Sequence, residues 1–137
     1  MMNHLILKNE YCITVKQLGI KKKQRIRSSA EYAHIYELRQ RVWDQHLLLF
    51  GAPNNLCWTR FGLSVSKKHG NAVRRARKKR LLREAFRLSQ HEFPTGLDLI
   101  LIPQKNSNAT VDDYRRSLER LTKKLHKRIS SSINLSS

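Results

Sequence analysis

Acidic residues are scarce in this sequence of 137 residues: Asp and Glu total 10 against 28 Lys and Arg, so the formal net charge is +18. A surplus of this size opposes compaction unless an anionic partner neutralises it, and the usual partners are nucleic acid or an anionic membrane. A membrane partner would need an apolar span or an amphipathic helix with a wide apolar face, and neither stands out. The charge therefore favours nucleic acid as the partner and predicts no membrane association.

Cysteine is also scarce, with only Cys12 and Cys57, which form no CxxC pair. The sequence gives no support for a disulfide between them, and a reducing compartment is the simpler interpretation. The apolar run at residues 5–7 is broken by Lys8 and is too short for the hydrophobic region of a signal peptide. We therefore expect a cytoplasmic protein, with residues 1–20 as a flexible extension.

Side chains that could catalyse a reaction or hold a metal are not found in the required arrangements. None of the six histidines has the His-x-x-x-His spacing of a helical metal site, and there is no Cys/His cluster. Asp112 and Asp113 are adjacent, so they would point to different faces of a helix and suit two-metal chemistry poorly. His69, beside a basic segment, is interpreted as a neighbour of phosphate and not as a base. The sequence predicts no catalytic residue, metal site, bound cofactor or small-molecule substrate in the protein alone.

The pattern of short helices and strands that is present is typical of one α+β domain. Ser28 and Glu31 have the spacing of a capping box and predict the start of a first helix. A short apolar run at residues 45–52 and an alternating run at 56–66 predict two strands of an antiparallel hairpin. A further strand could lie within residues 41–66, which are long enough for three short strands.

Three more elements are predicted in the second half of the chain. Residues 71–90 contain no Pro or Gly and begin with an Asn suited to cap a helix. Residues 97–102 are nearly continuously apolar, which indicates an interior strand. A Thr can cap a last helix over residues 110–129, and the Ser-rich residues 130–137 are expected to be a disordered tail. Cations near the end of this helix suit its dipole, and no function is assigned to them: Lys123, Lys124, Lys127 and Arg128.

The charge is concentrated on the second predicted helix. Residues 67–87 hold ten basic side chains and a single acid, Glu84. The side predicted to face the core consists of Leu81, Leu82, Ala85, Phe86 and Leu88. The opposite side is a cationic stripe of Arg75, Lys79, Arg80, Arg83 and Arg87. Like charges four residues apart cost roughly 0.2–0.5 kcal/mol per pair, so several phosphates along this helix would neutralise it and release counterions.

Two other features each allow two interpretations. Residues 21–27 form a basic run, which is either a solvated linker or an arm that contacts phosphate. Tyr32, Ile35 and Tyr36 share one face of the first helix. Their spacing favours a role in the core, whereas the alternative exposes the tyrosine rings for stacking with unpaired bases.

Residues 61–87 resemble the signature of the bacterial ribonuclease P protein family. The matching parts are a strand ending in Ser-Lys-Lys at residues 66–68, a Gly-Asn-Ala-Val turn at 70–73, and a basic helix known as the RNR helix. A looser resemblance extends over residues 22–129. It implies a single α+β domain over residues 21–129, in the order α-β-β-β-α-β-α, with a small mixed sheet packed by helices. Such a fold is similar to a ribosomal-protein domain, with a left-handed crossover that breaks the usual rule.

The same resemblance implies a subunit of ribonuclease P, the endoribonuclease that removes the 5′ leader from precursor tRNA. The chemistry would be carried by the catalytic RNA subunit, which requires Mg²⁺, and the partners would be that RNA and the precursor tRNA. The RNA subunit would be bound by Lys67, Lys68, Asn71, Arg75, Arg77, Lys79, Arg80 and Arg83. A cleft between the sheet and the first helix would receive the leader, and its matching aromatic residues, Tyr32, Tyr36 and Phe50, would then be exposed for stacking.

Two positions depart from the family pattern. Ala76 stands where Asn is usual between two arginines, so one polar contact with RNA is lost or replaced. Arg39 stands where Gly usually follows the first helix, so a different turn is expected there.

Two alternative functions remain open. One is a ribosomal or other structural RNA-binding protein, which gives no reason for a leader-sized aromatic cleft, and the other is a duplex DNA binder. The second is disfavoured because the cationic stripe has no Asn or Gln for reading base edges.

Overall fold

The computed structural model describes residues 19–105 and 107–136, with side chains up to residue 131. Its helices and strands follow the order α-β-β-β-α-β-α that the family resemblance implied. The helices are α1 (Ser29–Glu37), α2 (Ala72–Ser89) and α3 (Val111–Ser136). The strands are β1 (Arg41–Trp43), β2 (Leu47–Pro53), β3 (Arg60–Leu63) and β4 (Leu97–Pro103). The predicted flexible extension at residues 1–20 lies, for residues 1–18, outside the described residues.

The strands form one mixed sheet in the order β1-β2-β4-β3. β2 is antiparallel to both β1 and β4, and β3 is parallel to β4. The predicted hairpin of residues 45–52 with 56–66 is therefore wrong, because β4 lies between β2 and β3. The hairpin partner of β2 is β1, the extra strand for which residues 41–66 had room. The uninterrupted apolar run of β4 suits a central position, since such a strand is covered on both faces. The left-handed crossover from β3 through α2 to β4 stays a prediction.

Side chains on the two faces of the sheet enter two separate clusters. Leu49 and Leu99 pack with Phe86 of α2 in the main core, to which α3 also contributes. On the other face, Ile100 packs with Ile35 of α1 in a smaller cluster. Successive residues of a strand point to opposite faces, so the alternation along β2 and β4 sends every second side chain under α1. The sheet is thus the middle of three layers, with α1 on one face and α2 and α3 on the other.

The core face of α2 differs in one residue from the prediction. Leu82, Ala85 and Phe86 are buried, and Leu81 packs at the edge of the core. The prediction for Leu88 is wrong, since 41% of its surface is exposed. At about 100° per residue, residue 89 lies on the same side of α2 as Leu82 and Phe86, and a fully buried Ser occupies it.

All three predicted helix caps are confirmed. Ser28 Oγ accepts a hydrogen bond from Glu31 N at 3.4 Å, and Asn71 Oδ1 accepts one from Arg74 N at 2.9 Å. The side chain at residue 110 closes the first turn of α3 through hydrogen bonds with the Asp at residue 113. Each cap satisfies an amide that has no partner within its helix.

α3 continues to Ser136, so the prediction of a disordered tail from residue 130 is wrong for residues 130–136. No Gly or Pro follows Pro103, and nothing in the sequence therefore stops the helix. The last turn contains no cation. The helix dipole acts only within the terminal turn, so it does not account for the four cations that were assigned to it, from Lys123 to Arg128.

Arg39 adopts the left-handed conformation, with φ of 52°, directly after α1. Its backbone N donates to Tyr36 O at 3.1 Å. Glycine commonly ends helices in this conformation, and a residue with a side chain costs roughly 1–2 kcal/mol more there. The turn is therefore of the kind that glycine favours and not the different turn that was expected, and the side chain of Arg39 adds backbone strain there.

Within the described part of the chain, no helix is both long and apolar enough to cross a membrane. Cys57 is disulfide-bonded, which the sequence did not support, and Cys12 lies outside the described residues. The cysteines therefore give no argument for a reducing compartment.

Candidate nucleic-acid interface

The outward side of α2 carries cations that the rest of the described chain does not neutralise. We name five of them the cationic row: Arg75, Arg77, Lys79, Arg80 and Arg83. None of the five is in a salt bridge with a described carboxylate. Three of them are exposed and two, Arg75 and Lys79, are half-buried. The Nε atom of Arg75 is buried and has no hydrogen-bond partner among the described residues, and leaving such a donor unpaired costs free energy.

Arg87 differs from the other predicted members of the stripe. Its Nε atom donates to Glu84 Oε2 at 3.0 Å, and the two side chains form an ion pair three residues apart on α2. The single acid of this helix therefore neutralises the last of its cations, which leaves Arg87 less suited than the cationic row to meet a phosphate.

A short 3₁₀ turn, Lys67–His69, places two more predicted contacts beside the start of α2. Lys67 and Lys68 are exposed. His69 is buried, with its Nε2 atom 2.8 Å from Pro103 O and its Nδ1 atom accepting from Ser66 N at 3.0 Å. Both ring nitrogens are thus engaged within the protein. The interpretation of His69 as a neighbour of phosphate stays a prediction, since this residue also borders Arg74 and Lys78 in a cleft. His69 joins the 3₁₀ turn to the end of β4 through its hydrogen bond with Pro103 O.

Gly70 and Asn71 join this turn to α2. Gly70 has φ of 115°, a conformation that residues with a side chain rarely adopt, so glycine is favoured at this position. Asn71 was predicted to contact RNA, but its Oδ1 atom caps α2. Its amide nitrogen would be left to donate to an RNA phosphate.

A cleft of about 640 Å³ lies between the first half of α2 and the loop that joins β4 to α3. Its cationic lining consists of Arg74, Arg77, Lys78 and Lys105. Three of these residues were not among the predicted contacts. Arg74 and Lys78 belong to the basic segment, so its charge could have indicated them. Lys105 stands alone in its loop and gave no signal in the sequence.

The aromatic residues predicted to bind a leader come together on the face of the sheet that α1 covers. Tyr36 and Phe50 meet edge to face, with ring centroids 4.9 Å apart. Tyr32 Oη donates to Leu63 O at 3.3 Å, and burial raises the pKa of this hydroxyl. Gly62 leaves the room for that ring, since a Cβ atom there would lie 2.2 Å from Tyr32 Oη. All three rings are half-buried, so they pack against the small cluster and also present surface to solvent.

The basic run at residues 21–27 is held against the domain, so its interpretation as a solvated linker is wrong. Ile26 N donates to Phe61 O at 2.8 Å, and Gln24 Nε2 donates to Gln90 Oε1 at 2.9 Å. Both residues are buried. The cations of the run remain exposed: Lys21, Lys22, Lys23, Arg25 and Arg27.

Trp43, an aromatic residue on β1 that is 58% exposed, was not among the predicted site residues. A strand of three residues is too short to show an alternation, so the sequence could not indicate which face this side chain occupies. As for metal ions, no group of three or more His, Cys, Asp or Glu side chains comes together in the described ranges.

Comparison with known proteins extends these observations. A sequence model described as ribonuclease P matches residues 20–126. The chain belongs to the ribonuclease P protein family. It is 39% identical over 95 residues to a ribonuclease P protein component of Syntrophus aciditrophicus, covering 69% of this chain and 80% of that relative. With a ribonuclease P protein component of Petrotoga mobilis it shares 32% identity over 109 residues, covering 78% of this chain and 92% of the relative.

Solved structures of the ribonuclease P protein family share the fold. The Thermotoga maritima protein matches with a TM-score of 0.66 and 27% identity, covering 73% of this chain and 96% of that one. A Staphylococcus aureus ribonuclease P protein, a mutant with defective mRNA degradation activity, matches with a TM-score of 0.66 and 31% identity. This match covers 77% of the chain and 90% of the mutant protein. The α+β fold implied by the resemblance is therefore confirmed.

Proposed function

We propose that this protein is a subunit of ribonuclease P and binds the catalytic RNA through the cationic row, together with Lys67 and Lys68. The observation that carries the proposal is the lack of carboxylate partners for the row among the described residues. Phosphates spaced along an RNA strand would relieve the repulsion between these cations and release counterions. An arginine side chain such as Arg75 can also donate two hydrogen bonds to one phosphate.

In this proposal the RNA subunit carries out the endonucleolytic removal of the 5′ leader and holds the Mg²⁺ that the reaction requires. The protein contributes no catalytic residue, binds no cofactor or small-molecule substrate by itself, and acts in the cytoplasm. Its contribution is electrostatic, because two polyanions, the catalytic RNA and the precursor tRNA, must be brought together. Fixed cations between them perform part of the screening that divalent ions would otherwise supply.

The leader of the precursor tRNA would lie against Tyr32, Tyr36 and Phe50. Their half-buried rings are held in place by packing on one side and are accessible on the other, as stacking requires. Stacking of an unpaired base on such a ring is worth roughly 1–3 kcal/mol. The exposed cations of residues 21–27 flank the first helix in the sequence and would contact phosphates.

The proposal predicts that the protein matters most when Mg²⁺ is scarce. Cleavage of a precursor tRNA by the host's own catalytic RNA would be measured with and without the protein across a Mg²⁺ titration. We expect the protein to raise the rate strongly at low Mg²⁺ and little at high Mg²⁺, because Mg²⁺ then supplies the screening. Equal rates with and without the protein at every concentration would contradict the proposal.

A further inference from the structure

Trp43 lies on the same face of the sheet as the proposed leader site. In the antiparallel pair of β1 and β2, Trp43 is opposite Leu48 and Arg41 is opposite Phe50. Side chains that are directly opposite each other share a face of the sheet. Val42, between them, is buried in the core on the other face. The ring of Trp43 is therefore a diagonal neighbour of Phe50, at roughly 7–8 Å between Cα atoms.

α1 does not cover this part of the sheet. Its contacts place Ala52 and Ile100 in the buried cluster beneath it, whereas Leu48 and Trp43 are further along the strands and more exposed. Isolated exposed apolar residues are ordinary on protein surfaces. Trp43 differs from the other large exposed apolar side chains of the described chain, which are aliphatic, because its ring continues an existing aromatic surface.

Positive charge lies beside the ring of Trp43. The Arg41 guanidinium lies 5.7 Å from the centroid of Trp43, and Arg128 Nη1 donates to Arg41 O at 2.7 Å. The carboxylate of the neighbouring acid, Asp44, is engaged elsewhere: it accepts from the backbone N atoms of residues 46 and 47 and pairs with Arg120. An aromatic ring beside cations is the arrangement that single-stranded nucleic acids bind, with the base on the ring and the phosphate on the cation.

We propose that Trp43 is a second stacking position for the single-stranded leader, beyond Phe50, with Arg41 contacting the adjoining phosphate. This inference rests on the proposed function, since it extends the leader site towards the edge strand β1. A leader long enough to cross Phe50 would continue over β1, and a shorter leader would end before it. Trp43 therefore makes affinity depend on leader length.

The test uses the holoenzyme reconstituted with the host's catalytic RNA and a series of labelled precursor tRNAs with leaders of graded length. We expect Trp43→Ala to weaken binding of long-leader substrates about tenfold, within the range for loss of one stacked base. Binding of short-leader substrates and of mature tRNA should be unchanged. Trp43→Phe should retain most of the affinity, and Leu88→Ala, which also shortens an exposed apolar side chain, should have no effect.

Tyr36→Ala separates failure of this inference from failure of the proposed function. If Tyr36→Ala weakens leader binding and Trp43→Ala does not, the inference is wrong and the leader site stands. If binding to the unaltered holoenzyme does not depend on the leader at all, the leader site itself is wrong. A loss of equal size for mature tRNA would also refute the inference. A last outcome concerns self-association. If the unaltered protein self-associates, and Trp43→Ala makes it monomeric without changing leader binding, the inference is refuted, because a second copy would then cover the ring.

Discussion

Replacing Arg75, Lys79 and Arg83 together with alanine should weaken binding of the catalytic RNA about a hundredfold. Each contact of a charged side chain with phosphate is worth roughly 1 kcal/mol or more, and three such contacts correspond to about two orders of magnitude. The dependence of the logarithm of affinity on the logarithm of salt concentration should also become shallower, by about one unit for each contact removed. Both quantities come from titrations of the RNA subunit at several salt concentrations.

A matched control is available on α3. The triple substitution of Lys123, Lys124 and Lys127 with alanine removes the same charge from another exposed surface. We expect it to weaken binding only a few-fold, through the lower net charge. Equal losses for the two triple variants would mean that overall charge, and not the position of the cationic row, determines RNA binding.

Asp98→Ala should lower the free energy of unfolding by about 3 kcal/mol, because it breaks an ion pair that is mostly shielded from solvent. Asp98 lies on β4 under α1, and only 10% of its side chain is exposed. Arg60 donates to both carboxylate oxygens, from Nε at 2.8 Å and from Nη2 at 2.5 Å. Asn54 Nδ2 donates to the same carboxylate at 2.9 Å. The hydrogen bonds from Arg60 to Asp98 raise the pKa of the Arg60 guanidinium, and removing the acid would leave this mostly buried group poorly compensated.

Two further variants isolate this ion pair in urea denaturation experiments. Arg60 also pairs with Glu31 of α1 at 2.6 Å, but Glu31 is more exposed, at 38%, and compensates less for the missing charge. The double variant Arg60→Ala with Asp98→Ala should be less destabilised than the sum of the single variants, because no unpaired charge remains. Asp98→Asn should lie between the unaltered protein and Asp98→Ala. A loss below about 1 kcal/mol for Asp98→Ala would show that solvent already reaches the pair.

The sequence predicted local features well where one short pattern determines the structure. Ser28 and Asn71 cap their helices because the interacting groups lie three residues apart. The apolar run at residues 97–102 correctly indicated a central strand. In contrast, the pairing of β2 with β4 joins residues some fifty positions apart, for example Leu49 with Leu101. Alternation along each strand carries no information about which strand will be its neighbour.

The candidate site shows the same division between local and long-range information. Arg75, Lys79, Arg80 and Arg83 of the cationic row could be predicted because they depend on the period of a single helix, whereas Arg77 was implied only by the family resemblance. The role of His69 could not, since its partner Pro103 O belongs to another element. The pairing of Arg60 with Asp98, the exposure of Trp43 and the position of Lys105 in the cleft likewise depend on how distant segments pack.

The most direct test of the account asks which RNA lies against α2 in the cell. Ala76 is exposed and stands among the residues of the cationic row, so a photo-crosslinking amino acid at this position would face the bound RNA. After irradiation of living cells, the RNA attached to the purified protein would be sequenced, with Lys124 of α3 as the control position. The account predicts that the catalytic RNA of ribonuclease P dominates the crosslinks from residue 76 and exceeds those from residue 124. Ribosomal RNA as the main product at residue 76 would contradict it.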